Sequence, residues 1–404
     1  MTAASAPLSG LRIVEFASFV AGPSAGVTFA QLGAEVIRID PLGGAADIGR
    51  WPVSRRTGAS LYWTALNRGK RSVAIDVRDP EGRELVLGLA TAPGPDEGIV
   101  VDNIVGRPWF SYESLRDRRS DVIHARVEGS ADGRAAVDYT VNPACGVAEL
   151  TGPADSDRPV NHVLPAWDLV TGMTATTAVL AAVRRRALTG EGSRLQIALD
   201  DVALATVANL GWLSEVAEVG DRERHGNHMY GTFGVDFVTR DGERVMVVAL
   251  TGRQWSALCA ATGTEEVMAA LGRSLSADLS AEADRYRHRE VVEAVLRPWF
   301  SQRPFPEVQT ALDAAGALWS RYRSLRQVVD DFRAEGADVL VEMDQPGVGQ
   351  VISARSPIRV DDRYGEPAVA SELGADTDGV LADVLGLDDH ELARLHDSGV
   401  LGTR

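Results

Sequence analysis

Residues 11–40 read LRIVEFASFVAGPSAGVTFAQLGAEVIRID. The run Leu11–Ala17 is rich in β-branched and aromatic residues and predicts a strand, and Glu35–Asp40 predicts a second one. Between them, Gly22–Pro23 predicts a tight turn and Val27–Leu32 a helix. A strand, a glycine turn, a helix and a strand in this order open a parallel sheet. The turn lacks the spacing G-x-G-x-x-G, so a dinucleotide-binding fingerprint is not indicated.

The same alternation continues along the chain. Asp79 is placed to cap a helix over Pro80–Ala90, which has proline at its first position. Further strands are predicted at Ser72–Ile75, Gly98–Val101, Asp121–Val127 and Arg194–Leu199. Repeated alternation of strands and helices predicts an α/β fold with a doubly wound sheet.

A long loop, Pro41–Ser60, separates the second and third predicted strands and contains GRWPVSRR at Gly49–Arg56. Structureless loops of this length inside a compact domain are often lids or binding loops.

A second informative stretch is Val160–Val183, which reads VNHVLPAWDLVTGMTATTAVLAAV. Its small and apolar residues predict a buried helix that ends near Arg184–Arg186, where cations complement the helix dipole. Asp168 stands where a carboxylate would accept the first free N–H groups, so the residues alone predict a helix cap. His162, six positions earlier, fits either a base or a structural, hydrogen-bonded histidine.

The second half is divided by the charged run Gly220–His228, which indicates a domain boundary. Tyr230–Leu250 predicts a β-hairpin that turns at Asp241–Gly242, and a helical section follows it. The chain is expected to be irregular from Ile352 until a final helix at Asp388–Ser398.

Composition narrows the class of protein. The chain has 404 residues, 45% hydrophobic and 24% charged, and a formal net charge of −16, which argues against nucleic acid or a membrane surface as partner. No secretory signal and no apolar run long enough for a membrane span are recognised, so a cytoplasmic location is expected. Two cysteines are too few for a disulfide scaffold, and His225 and His228 lack companions at metal-ligand spacing, so no metal is expected.

A resemblance covers nearly the whole chain. Its segments, in order, are PLSGLRIVEF, FVAGPSAG, QLGAEVIRID, LNRGKRSVAID, DPEGRELV, the Asp-containing helix start before RRRALTGEGSRLQIALDD, and LGLDDHELARLHDSGVL. Together they resemble the class III CoA-transferase family. The resemblance implies a Rossmann-like large domain with a smaller inserted α+β domain, and an interlocked, ring-like homodimer. The expected limits are 1–222 for the first part of the large domain, 223–325 for the small domain, and 326–404 for a linker and the return to the large domain.

The family's nucleophile is an aspartate at the start of the long helix, which in this sequence is Asp168. Its carboxylate would attack a thioester to give a mixed anhydride and CoA thiolate, and the thiolate would then form an aspartyl-CoA thioester. N–H groups of the helix N-terminus would orient the attacking anion. Coenzyme A enters as part of the acyl-CoA substrate, and no separate cofactor is expected.

The resemblance also assigns CoA contacts. They are Val20, Ala21, Arg38, Ile75, Arg78, Asn103, Ile104 and Tyr139, with Arg38 and Arg78 as cations for the phosphates. Val20 occupies the place of a substrate-contacting glutamine in formyl-CoA transferases, which makes oxalate or formate a doubtful substrate. The racemase branch of the superfamily has a histidine that would fall on Tyr139, and a tyrosine of pKa ~10 is a poor proton carrier at neutral pH.

Four further segments, RWPV, VDYTVNP, VNHVLPAWD and GNHMYGTFGVDF, resemble a branch of the family that moves CoA between the C1 and C4 carboxyls of one mesaconate. Such intramolecular transfer requires the freed dicarboxylate to be retained and turned in a closed site. Trp167, Tyr139, His228 and Tyr230 are the candidates for lining it. Transfer from a dicarboxyl-CoA donor to a separate small acid stays open as the alternative, as does a CoA-binding scaffold without activity.

Overall fold

The computed structural model describes residues 6–402. Thirteen strands are formed in that range. They are β1 (Arg12–Phe16), β2 (Glu35–Asp40), β3 (Arg71–Ala74), β4 (Ile99–Asp102), β5 (Ile123–Glu128), β6 (Ser193–Ala198), β7 (Phe233–Val238), β8 (Arg244–Ala249), β9 (Leu318–Arg321), β10 (Leu340–Gln345), β11 (Gly349–Ala354), β12 (Arg359–Val360) and β13 (Arg363–Tyr364).

The α-helices of the described residues number seventeen. They are α1 (Ala21–Gln31), α2 (Leu61–Ala65), α3 (Pro80–Ala90), α4 (Tyr112–Arg118), α5 (Asp138–Ala144), α6 (Val147–Leu150), α7 (Ala166–Thr189), α8 (Leu199–Asn209), α9 (Trp212–Val219), α10 (Gly252–Thr262), α11 (Glu265–Leu275), α12 (Glu282–Arg287), α13 (Arg289–Ser301), α14 (Phe305–Ala315), α15 (Leu325–Glu335), α16 (Thr377–Leu385) and α17 (Asp389–Asp397).

The predicted α/β class is confirmed by a six-stranded sheet in the order β3-β2-β1-β4-β5-β6, in which every pair is parallel. Val14 on β1 pairs with Ile37 on one side and Val100 on the other, and all three are buried. Both faces of such a sheet are covered, which is why these strands are almost uniformly apolar. The strand order reverses between β1 and β4, and ligands of open α/β sheets bind at the carboxyl ends of the strands at this point.

The chain divides into two compact units. The first contains residues up to 145, 162–217 and 336 onward, and the second contains 146–161 and 218–335. The second unit has the antiparallel sheet β7-β8-β9, whose core of Phe233, Leu258 and Phe300 is fully buried. The expected limits at residues 222 and 325 and the expected homodimer stay predictions.

Several local predictions are confirmed and several are wrong. The hairpin is present as β7 and β8, and Asp388 caps α17 by accepting the N–H of Glu391. The apolar segment 202–216, whose composition predicts one helix, is divided between α8 and α9 at Gly211, whose φ of 77° is left-handed. The C-terminal region expected to be irregular contains the end of the hairpin β10–β11 and helix α16.

Helix α7 extends over 24 residues and packs against α1, α8, β5 and β6. It ends at Gly190 (φ 73°), and the buried Arg186 donates hydrogen bonds to the carbonyls of Pro95 and Glu97. Contrary to the sequence-based expectation, α7 is long and apolar enough to cross a membrane by length and composition alone. A core helix packed within a domain passes the same test, and α7 makes contacts of that kind with α1, α8, β5 and β6.

Candidate active site

The N-terminus of α7 holds Asp168 in its first turn, two residues after the first helical residue, Ala166. The prediction that the Asp168 carboxylate caps this helix is wrong, because Pro165 is the N-cap and Asp168 makes no capping hydrogen bond. The N–H groups of Trp167 and Asp168 instead donate to Oδ2 of Asp138, at 2.7 and 3.3 Å. The Asp168 carboxylate is therefore left available for chemistry.

Asp138 begins α5 and is the centre of this arrangement, with 2% of its surface exposed. Its second oxygen, Oδ1, lies 2.8 Å from Nε2 of His162. One turn along α5, Asn142 accepts a hydrogen bond of 3.0 Å from the indole N–H of Trp167. Helix α5 therefore positions both the backbone and the side chains that precede Asp168, and His162 has the hydrogen-bonded role.

The first backbone N–H groups of α7 are all occupied. Ala166 donates to the carbonyl of Leu164 and Leu169 donates to that of Pro165, in addition to the two bonds to Asp138. The expectation that these N–H groups orient the attacking carboxylate is not met by this geometry. Donors for an oxyanion must come from other groups of the site or from the substrate.

The electrostatics of Asp168 favour a reactive carboxylate. Burial and the negative charge of Asp138 raise its pKa to about 6, and the nearby Arg50 guanidinium offsets part of this rise. At pH 7 the group is still largely ionised, but it is more basic than an exposed aspartate. A partly buried carboxyl with a perturbed pKa and no structural hydrogen bond is a candidate nucleophile.

Arg50 lies in the long loop between β2 and α2, which the sequence predicts to be functional. Its guanidinium carbon is 5.4 Å from the centroid of the Phe19 ring and 5.3 Å from that of the Tyr62 ring. Phe19 has a left-handed φ of 68°, and its N–H donates to Oδ2 of the buried Asp47 at 2.8 Å. A strained, non-glycine residue held in this way is typical of a functional turn.

The turn after β1 is also fixed from the β4 side. Asn103 accepts a hydrogen bond from the N–H of Ser18 (3.1 Å) and donates one to its carbonyl (2.8 Å). The turn therefore lies at the topological switch point, and Val20 and Ala21 follow it with 7% and 4% exposure. A Cβ on Gly172 of α7 would be 2.7 Å from the carbonyl oxygen of Ala21, the first residue of α1, so the start of α1 and α7 are in close contact.

Asp168 and Gly172 are four residues apart and share one face of α7. The face that carries Asp168 is thus the face that meets the first turn of α1. Of the expected CoA contacts, this geometry gathers Val20, Ala21 and Asn103 around one sheet edge. Tyr139 lies nearby on α5, half exposed, and its hydroxyl donates to the carbonyl of Val163 at 3.3 Å.

The other residues expected to contact CoA differ in how far their side chains are exposed. Ile75, directly after β3, is fully buried, and Ile104, two residues after the end of β4, is partly buried against the core. Arg78 is exposed and forms an ion pair of 2.8 Å with Asp76, so its charge is accessible to an anion.

Arg38 is 1% exposed, and its N–H groups are bonded to Asp40, Asp47 and Asn67. A guanidinium in such a network has a structural role in this conformation, although its assignment as a phosphate ligand stays a prediction.

The remaining expected pocket residues are placed as follows. Trp167 is 7% exposed and contributes to packing at the start of α7. His228 and Tyr230 belong to the second unit, where Nε2 of His228 lies 3.0 Å from Glu293 and Tyr230 stacks on His225 with centroids 5.6 Å apart. Within residues 6–402, no group of three or more His, Cys, Asp or Glu side chains is arranged to hold a metal ion.

Sequence reasoning missed four residues of this site, namely Phe19, Arg50, Tyr62 and Asp138. The long loop gave a signal for Arg50, and the glycine-proline turn gave a weaker one for Phe19. Asp138 is thirty positions from Asp168, and nothing in local spacing indicates that its carboxylate caps α7.

Comparison with known proteins agrees with this geometry. Residues 8–377 match the sequence model described as CoA-transferase family III. The chain is 45% identical over 401 residues to 2-methylfumaryl-CoA isomerase of Chloroflexus aurantiacus, covering 98% of this chain and 97% of that protein. It is 26% identical over 432 residues to formyl-CoA:oxalate CoA-transferase of Rhodopseudomonas palustris, with 98% and 97% covered. A crystal structure of a CAIB/BAIF family protein from Brucella suis superposes with a TM-score of 0.75 at 26% identity, over 94% of this chain and 99% of that one. The chain therefore belongs to CoA-transferase family III and is an enzyme of that class.

Proposed function

We propose that this enzyme moves CoA within one molecule of 2-methylfumarate (mesaconate), from the C1 to the C4 carboxyl. The product of 2-methylfumaryl-CoA would then be 3-methylfumaryl-CoA. The observation that carries the chemical step is the partly buried carboxylate of Asp168 at the start of α7, which makes no capping hydrogen bond. The choice of substrate is supported by the 45% identity to an isomerase of that name over nearly the whole chain.

In the proposed reaction, a carboxylate oxygen of Asp168 attacks the thioester carbonyl carbon, and the C–S bond breaks. This gives a mixed aspartyl–acyl anhydride and CoA thiolate. The thiolate attacks the aspartyl carbonyl carbon of the anhydride, so an aspartyl-CoA thioester forms and the dicarboxylate is released. The C4 carboxylate then attacks this thioester, and the same steps in reverse return Asp168 as a free carboxylate. No proton is gained or lost overall.

We assign the CoA moiety to the sheet edge at the switch point. Val20, Ala21, Asn103 and Ile104 lie on the turns that follow β1 and β4, where open α/β sheets bind ligands. Ile75, Arg78 and Tyr139 complete the assignment, with Arg78 as an exposed cation for a phosphate. Coenzyme A arrives with the substrate, and the scheme requires no other cofactor.

We also propose a homodimer. In the first unit, apolar side chains on and before α7, α8 and α9 stay exposed in the single chain, including Val163 (92%), Leu164 (58%), Leu210 (60%) and Leu213 (48%). Surfaces of this kind are usually covered by a partner, and a second copy presents the same self-complementary patch. Light scattering after size-exclusion chromatography should give twice the mass of one chain, and a single-chain mass would exclude the proposal.

The second candidate function is transfer of CoA from a dicarboxyl-CoA donor to a separate acid. The name of the 26% identical transferase likewise describes intermolecular transfer for that protein, between formyl-CoA and oxalate. The two functions are separated by supplying unlabelled 2-methylfumaryl-CoA together with isotopically labelled free 2-methylfumarate. Intramolecular transfer predicts isomerised product without label. Label appearing in the product as fast as isomerisation proceeds would favour the intermolecular function.

A further inference from the structure

We propose that Arg50, assisted by the hydroxyl of Tyr62, binds the free carboxylate of the acyl-CoA substrate beside Asp168 and so selects dicarboxylic acyl groups. The proposal rests on the proposed CoA transfer at Asp168 and adds a binding site for the part of the substrate that is not activated. Three features of the site support it: the position of Arg50, the state of its N–H groups and the burial of Tyr62.

Arg50 is held at the site by its surroundings. Its guanidinium lies over the rings of Phe19 and Tyr62, at 5.4 and 5.3 Å. Its backbone is tied to the start of α2, since its carbonyl accepts the hydroxyl of Ser60 at 2.5 Å, and Ser60 in turn accepts the N–H of Trp63. Phe19 is two residues before Ala21, the first residue of α1, which contacts the Asp168 face of α7.

The guanidinium keeps donors that no carboxylate of the described residues occupies. Contacts with aromatic rings use the faces of a guanidinium, whereas its five N–H groups lie in the plane of the group. In the part of the chain that the structure describes, Arg50 forms no ion pair with a carboxylate, unlike Arg38, which is paired with three. An arginine that is oriented but unpaired can bind a planar carboxylate with two parallel hydrogen bonds.

Tyr62 supplies a second donor. Its hydroxyl is buried, the Arg50 guanidinium lies close enough to interact with the phenolic oxygen, and the hydroxyl proton has no acceptor, which is a costly state unless a ligand supplies one. Burial raises the pKa of this hydroxyl, Arg50 lowers it, and the charge of Asp168 raises it further, so the phenol stays protonated and able to donate. Arg50, Tyr62 and Asp168 therefore share one electrostatic environment.

A carboxylate subsite at this place meets the demand of intramolecular transfer. When the thiolate leaves, the dicarboxylate is no longer attached to CoA and must stay until its other end reaches Asp168. A charge-assisted pair with Arg50 retains the dianion, and it accepts either carboxyl because the two ends of 2-methylfumarate differ by one methyl group.

The test measures the affinity of two acyl-CoA probes for variants that also carry Asp168→Asn, so that the ligand is not turned over. The comparison of both probes across these variants is called the binding cycle. The probes are 2-methylfumaryl-CoA and (E)-2-methylbut-2-enoyl-CoA, which has a methyl group in place of the free carboxylate. Arg50→Gln should weaken binding of the first about tenfold to a hundredfold. Binding of the second should change by less than about threefold. Arg55→Gln, an exposed arginine of the same loop, is the matched control and should affect neither probe.

Equal weakening of both probes, or no weakening of either, overturns the assignment of Arg50. Tyr62→Phe provides a second variant that removes only the hydroxyl, and it should also discriminate between the probes. In the active enzyme, Arg50→Gln should raise the incorporation of labelled free 2-methylfumarate, because the dianion escapes more often. Absence of isomerisation by the wild-type chain, with the binding cycle intact, would contradict the proposed reaction and leave the subsite standing.

Discussion

Replacing Asp168 with asparagine is expected to abolish activity and at the same time to stabilise the folded protein. The reason is the energetic cost of keeping this carboxylate ionised in its site. Its pKa is raised from 3.8 to about 6, because burial and Asp138 disfavour the charged form more than Arg50 favours it. Asparagine has nearly the same shape and carries no charge, so it removes the cost without leaving a cavity.

The size of the stabilisation follows from the shift in the pKa of Asp168. A difference of about two pKa units corresponds to about 3 kcal/mol, since one unit is about 1.4 kcal/mol. The carboxyl is only partly buried and solvent screens part of its interactions, so roughly 1–2 kcal/mol is expected. For a unit of this size, that raises the melting temperature by a few degrees, at about 2–4 °C per kcal/mol.

The stabilisation by Asp168→Asn should depend on pH. A carboxyl whose folded pKa is raised binds more protons in the folded than in the unfolded state between pH 3.8 and about 6. The destabilisation is therefore complete above about pH 6 and disappears as the pH falls towards 3.8. The difference in melting temperature between Asp168→Asn and wild type should be largest at pH 7.5 and small near pH 4.

Thermal or urea unfolding of both proteins at the two pH values is the assay, with the exposed Asp117→Asn as control for removal of one surface charge. The transition that reports the first unit should be followed, because a chain of two units can unfold in two steps. The electrostatic explanation would be refuted if Asp168→Asn were less stable than wild type at pH 7.5. It would also be refuted if the variant were as stable as wild type at both pH values.

Three further predictions address the surroundings of Asp168. The rate of the first acyl transfer should fall below about pH 6, because protonated Asp168 is a poor nucleophile. Asp138→Asn should move this decrease in rate to lower pH, because it removes a like charge beside Asp168. Stopped-flow measurement of thiol release checks both predictions, and a decrease at the same pH in Asp138→Asn would argue against the charge effect. Gly172→Ala places a Cβ 2.0 Å from the hydroxyl of Ser24 and should lower both stability and kcat, whereas Gly43→Ala meets nothing within 4 Å and should be tolerated in the same assays. Asn103→Ala removes both hydrogen bonds to Ser18 and should raise KM for the acyl-CoA several-fold, with only a small effect on the melting temperature. An unchanged KM would show that the turn after β1 does not contribute to CoA binding.

The parts of the fold that sequence predicts are those set by local periodicity. The apolar runs of β1 to β6 are short-range signals that predict the parallel sheet and its switch point. The tight turn predicted at Gly22–Pro23 is wrong, because both residues lie in the first turn of α1, where proline is tolerated. The break between α8 and α9 depends on one left-handed glycine, Gly211, in a segment whose pattern is otherwise continuous. Its effect could not be separated from a tolerated helical glycine before the structure was known.

The candidate site shows a different limit. Asp168 was recognised by family resemblance, while local chemistry suggested a helix cap. The structure assigns that cap to Asp138 on another helix, and the resulting charge contributes to the raised pKa of Asp168. Arg38 shows the opposite case, since a cation next to a predicted ligand edge turned out to be bonded within a buried network. Long-range pairing of charges decides both roles, and sequence spacing does not report it.

The most direct test of the central claim is to find the residue that carries the acyl intermediate. The enzyme is incubated with 2-methylfumaryl-CoA, quenched with hydroxylamine, digested and analysed by mass spectrometry. An aspartyl hydroxamate is expected at Asp168. It should be absent from Asp168→Asn and should still form in Arg55→Gln. A hydroxamate on a peptide that lacks Asp168, or full activity of Asp168→Ala, would contradict it.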